Sequence, residues 1–119
     1  MTVTNTGKAR VAELIIGSGT AFSNVAIGSG STEAFAVGDT QLVTEEDRDT
    51  ATTSTDTTDV SGDTAKFVNT FSFVASKTIN ESGVFDADTD GTMLCAQYIS
   101  DINVESGDSL EVTYKVDVD

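Results

Sequence analysis

In Leu110-Glu111-Val112-Thr113-Tyr114-Lys115-Val116-Asp117-Val118, apolar and polar residues alternate without a break. Successive side chains of a strand point to opposite faces, so Leu110, Val112, Tyr114, Val116 and Val118 share one face and Glu111, Thr113, Lys115 and Asp117 the other. One face is dry and one is wet, the pattern of an antiparallel sheet lying over a core. Working back from it, residues Ala65 to Val74 repeat the pattern more heavily. Phe67, Asn69, Phe71 and Phe73 fall on one face, and Lys66, Val68, Thr70 and Ser72 on the other. Between these two strands, Thr78-Ile79-Asn80-Glu81-Ser82-Gly83-Val84-Phe85 runs into an Asp-rich turn ending at Asp90-Gly91, and Thr92 to Ile99 reads as its hairpin partner.

The first half is less regular. Val25-Ala26-Ile27 is a short strand followed by the loop Gly28-Ser29-Gly30-Ser31, and Gln41-Leu42-Val43 is a second strand candidate. The charged patch Glu45-Glu46-Asp47-Arg48-Asp49 follows. Ala51 to Val60 is so rich in Thr that it reads either as disordered or as an exposed strand polar on both faces. One helix is expected, over Lys8 to Ile16, with Asn5 or Thr6 as its cap and Gly17 as its stop. Val11, Leu14 and Ile15 stand at i, i+3 and i+4. Several short strands punctuated by turns predict a mainly β chain: an antiparallel β-sandwich with one short N-terminal helix, spanning 1–119 as a single domain.

Composition agrees with strands. The chain has nineteen Thr, thirteen Val, no Pro and no Trp, and its apolar share of 38% promises only a modest core. Twenty acidic residues against six basic ones give a net charge of −14 at pH 7. That field repels nucleic acid and anionic lipid, so neither is an expected partner. The acids are spread from Glu13 to Asp119, with Asp outnumbering Glu thirteen to seven. Such a surface stays hydrated in concentrated salt, where screening lengths shrink to ~3 Å at 1 M, and it reads as halophilic. An ordinary acidic protein is the plainer alternative. No stretch is long and apolar enough to span a bilayer, and the polar start Met1-Thr2-Val3-Thr4-Asn5 lacks the form of a signal peptide; the expectation is synthesis in a host cytoplasm.

Chemistry is thinly represented. The chain has no His, which removes the commonest general base and metal ligand together. Cys95 lies in the apolar run Met93-Leu94-Cys95-Ala96, without a basic neighbour to activate it, and reads as a small buried hydrophobe. Carboxylate pairs suited to glycoside chemistry arise by chance in so acidic a chain. Gly28-Ser29-Gly30 lacks the Lys-Ser/Thr ending of a phosphate loop and reads as a turn. No catalytic, cofactor-binding or metal residue is therefore assigned, and no enzyme activity is expected. The one metal-like pattern is Asp86-Ala87-Asp88-Thr89-Asp90-Gly91, where Asp86, Asp88 and Asp90 match the first half of a calcium loop. The acid needed at its twelfth place is Gln97, so an acidic turn is the competing reading and any calcium would be structural. Glu81 stands among apolar residues, where an unpaired carboxylate is costly, and Arg48 is expected to pair with it and pin the middle segment to the sheet.

The order of these motifs resembles a group of small tailed-phage structural proteins. The resemblance runs through Val25-Ala26-Ile27-Gly28-Ser29-Gly30, Gly38-Asp39-Thr40-Gln41-Leu42 with Glu45 and Arg48, Thr78 to Phe85, Gly91-Thr92-Met93-Leu94 and Ser109 to Tyr114. It implies a β-sandwich without catalytic residues, serving as a head-decoration, turret or tail-fibre-like protein. Acidity and the Thr-rich stretch depart from that group and look like adaptation to a halophilic host, a haloarchaeon infected by a tailed virus. The expectation is a virion protein on the capsid surface, a homo-oligomer that binds the major capsid protein. A tail or fibre component contacting the host surface is the first alternative, and an extracellular carbohydrate-binding module the second. The absence of Trp weighs against the latter.

Overall fold

The computed structural model describes residues 1–118. In chain order they form β1 (Thr2–Val3), α1 (Asn5–Ile15), β2 (Asn24–Gly28), β3 (Glu45–Thr50), β4 (Thr52–Asp56), β5 (Thr64–Ser72), β6 (Lys77–Phe85), β7 (Met93–Val104) and β8 (Ser109–Asp117). Two antiparallel sheets result: a five-stranded one in the order β1-β7-β6-β2-β3 and a three-stranded one in the order β4-β5-β8. The expected mainly β architecture with one short helix is what the chain adopts.

The alternation that announced β5 and β8 is realised as a layer of side chains between the sheets. Phe67, Phe71, Phe73 and Tyr114 pack against Val25, Ile27, Ile79, Val84 and Cys95 of the larger sheet. Phe71 is fully buried, a burial that stabilises by about 1.5–3 kcal/mol. β5 and β8 pair without a register shift from Thr64↔Asp117 to Ser72↔Ser109, so both dry faces point the same way. β6 and β7 form the expected hairpin, although β7 runs on to Val104. The Thr-rich stretch is ordered as β4, an exposed edge strand paired with β5. Between β3 and β4 the chain changes sheets through a single residue, Ala51, which is buried and whose N–H bonds to the Ser23 carbonyl at 2.8 Å.

A second, smaller apolar cluster lies on the other face of the large sheet. Ala26, Phe85, Met93 and Ala96 are covered there by Phe35 and Leu42, from the long connection between β2 and β3. This corrects the strand expected at Gln41-Leu42-Val43. Those residues are loop, and the strand is the acidic patch itself, Glu45–Thr50. The Val43 and Thr44 N–H groups bond to the side chain of Glu81 and so are not ladder donors.

The helix starts at Asn5, three residues before the expected Lys8, and its cap lies one residue before Asn5 and two before Thr6. Thr4 is the cap, its hydroxyl accepting the Gly7 N–H at 2.9 Å and donating to the Met93 carbonyl. Its expected core stripe is not a core stripe: Val11 and Ile15 are exposed, Ile15 by 79%. The helix docks by its first turn, where Gly7 lies so close to the Leu94 carbonyl that a Cβ would collide with it.

Candidate functional site

The two flanks of the sandwich differ. On one flank the edge strands β3 and β4 are joined through Ala51, and β3 presents Glu45, Glu46, Asp47, Arg48 and Asp49. Charged residues of this kind discourage further strand pairing. On the other flank the large sheet is the wider, and its last member β1 pairs with only Cys95 and Ala96 of β7. β8 is the edge of the small sheet here, nine residues long, and among the described residues no strand pairs with its outer side.

The backbone of β8 alternates in direction. Phe73 N–H bonds to the Asp108 carbonyl and Val118 N–H to the Asp63 carbonyl, which bracket the β5–β8 ladder. In an antiparallel ladder every second residue turns both polar groups to its partner. The even-numbered residues of β8 therefore face β5, and Glu111, Thr113 and Lys115 turn N–H and C=O to the open edge. Beside that edge runs a groove of about 390 Å³, formed by Glu111 to Lys115 on one side and Met1, Gln97 and Ile99 with Ile27 and Ser82 on the other. The apolar row of β8 is incompletely covered: Leu110, Val112 and Val116 are only half-buried. Lys115 reaches across the small sheet to Asp56 at 2.9 Å, whereas Glu111 has no cation beside it among the described residues.

The residues singled out from sequence lie elsewhere and do other things. Asp86 of the calcium-like turn is held by the Arg10 guanidinium and accepts the Thr92 N–H at 2.7 Å. Asp90 contributes its backbone carbonyl to Arg48, at 2.7 Å. Among the described residues, no three His, Cys, Asp or Glu side chains are grouped to hold a metal ion. Glu81 is fully buried, as its apolar neighbours implied, but Arg48 is not its partner. The carboxylate accepts the Ser31 hydroxyl at 2.8 Å and the backbone N–H groups of Val43 and Thr44 at 3.1 and 2.8 Å. Arg48 bonds to Glu45 and to the Ala87 and Asp90 carbonyls, with its guanidinium 3.6 Å over the Phe85 ring. Both residues pin loops to the sheet, each without the other: the Ser31 hydroxyl and two backbone donors satisfy the buried carboxylate, and Arg48 turns to Glu45 and two carbonyls.

Cys95 is buried, and desolvation pushes its thiol up to about 12. It is therefore neutral and poorly nucleophilic. No helix of the described residues is long and apolar enough to cross a membrane. The β8 groove was not legible beforehand, because an edge strand and a central strand carry the same alternation; only pairing order distinguishes them. Compared with protein-family models, curated proteins and solved structures, the chain gives no match.

Proposed function

We propose that this chain is a structural protein of a tailed virus, placed on the capsid as a decoration or turret component that binds and stabilises the major capsid protein lattice. The motif order described above supports the virion assignment. The observation that carries a protein-binding role is the β8 flank, a long unpaired edge whose apolar row is half-covered. Monomeric proteins usually blunt or cover such edges, and an edge left open is suited to a partner. Ile15 and Ile16, exposed by 79% and 80% at the end of α1, add apolar surface for contact with further copies or with the lattice. The mechanism is mechanical: contacts made on the shell add buried area between capsid subunits. Closed homo-oligomers belong to the same proposal.

Gel densitometry of purified particles from a culture carrying the gene tests it. Hundreds of copies per particle are expected for a capsid-surface protein. A handful would move the chain to the tail or fibre, and absence from particles would overturn the virion reading. Size-exclusion in concentrated salt reports the oligomeric state.

A further inference from the structure

We propose that the β8 groove receives a single extended segment of a partner protein, carrying apolar residues at alternate positions and a Lys or Arg opposite Glu111. The inference rests on the protein-binding role proposed above and names its ligand chemistry. Three observations carry it. The open edge supplies N–H and C=O groups from Glu111, Thr113 and Lys115, which a strand would bond in the manner of β-augmentation. The groove beside it offers the half-buried side chains of Ile99 and Val112 to the alternate side chains of that strand. On the wet face, Lys115 is already committed to Asp56 while Glu111 lacks a cation among the described residues, so the missing charge is positive.

A second copy is a poorer occupant for a steric reason. Another β8 brought edge to edge would arrive with its own large sheet stacked over its dry face. That space is already roofed by Met1, Gln97 and Ile99. A lone strand has no second layer and enters without collision.

The probe is a nine-residue synthetic peptide alternating Val and Lys, compared with a peptide of the same composition in which the Lys and Val residues are grouped in blocks. Binding is followed by backbone amide NMR of the intact chain. Thr113→Pro is the decisive variant: it removes an outward N–H while leaving the β5 ladder intact, so the melting profile serves as the check on folding. The expected result is saturable binding of the alternating peptide with shifts at Glu111, Thr113 and Lys115, weakened roughly ten-fold or more by Thr113→Pro. Glu111→Gln should weaken it by a smaller factor. Equal binding of the two peptides, shifts away from β8, no saturable binding, or a smaller loss in Thr113→Pro overturns the inference. Since the assay contains no virus particle, its failure is separate from absence of the chain from virions.

Discussion

The Glu81 carboxylate and the Thr44 backbone N–H meet at 2.8 Å inside the protein, where Glu81 has no exposed surface. The two residues join β6 to the end of the long β2–β3 connection, and Ser31 and Val43 bond to the same carboxylate. A carboxylate is an acceptor at both oxygens, and all three of its partners present hydrogens. Glu81→Gln puts an amide N–H₂ where an acceptor is needed. We expect a loss of about 2–3 kcal/mol, read from denaturant unfolding, with the connection over 29–44 the first part to lose amide protection. Unchanged stability would show that the carboxylate is not the pin.

Gly28 belongs to the same arrangement. A Cβ at Gly28 would collide with the Glu81 carboxylate and the Thr44 carbonyl, so the strand end and the loop can meet only over a glycine. Gly28→Ala should therefore destabilise by about 1–3 kcal/mol, the usual range for overpacking. The check is a double-mutant cycle with Glu81→Gln. Coupling is expected because both changes disturb one contact, and strict additivity would separate them.

How far the sequence carried depended on periodicity. β5 and β8 were legible because their alternation spans eight or more residues and one face is richly aromatic or aliphatic. Glu45–Thr50 was not, since an edge strand at the rim needs no apolar face and its run of acids reads as loop. Gln41-Leu42-Val43 misled for the opposite reason: Leu42 is buried, but as a lone anchor over the sheet. The buried state of Glu81 followed from its neighbours. Its partners did not, because backbone N–H groups of a loop leave no mark in composition.

Arg48 holds the 86–91 turn through two carbonyls while its guanidinium lies on Phe85. Lysine can supply the charge but neither the planar stack nor the fork of donors. Arg48→Lys should cost about 1–2 kcal/mol. Hydrogen exchange should quicken at Asp88 to Gly91 while β5 and β8 keep their protection. Exchange that rises equally everywhere would mean that Arg48 stabilises the fold globally and does not hold this turn.

Asp63 organises the β4–β5 turn. Backbone N–H bonds from Val60, Thr58 and Asp59, with the Thr64 hydroxyl, hold its carboxyl well below the ordinary Asp range. With a depressed folded-state pKa, its contribution is complete above the unfolded value, ~3.9, and is lost only as pH falls through the lower folded value. The amides of Thr58, Asp59 and Val60 should stay protected as pH is lowered through 4. Asp63→Asn should weaken their protection already at neutral pH. A carboxyl NMR titration of Asp63 centred near 4 would contradict this.

Cys95 gives the opposite sign. It has no exposed surface and sits in the core beside Val84, its β6 partner. Burial raises its thiol pKa to about 12, against about 8.5 in an unfolded chain. A raised folded value means that the stabilisation is fully present below the unfolded pKa. It declines as pH rises from there toward the folded value, because the unfolded thiol ionises first. Thiol reagents should therefore label the native protein at pH 8 no faster than it opens, and labelling should become immediate in denaturant. Cys95→Ala should flatten the alkaline fall in stability between about pH 8.5 and 10, at a packing cost of about 1 kcal/mol. Rapid labelling of the folded protein would place the sulfur at an accessible surface, and the core described around Phe71 and Tyr114 would then be open where the structure has it closed.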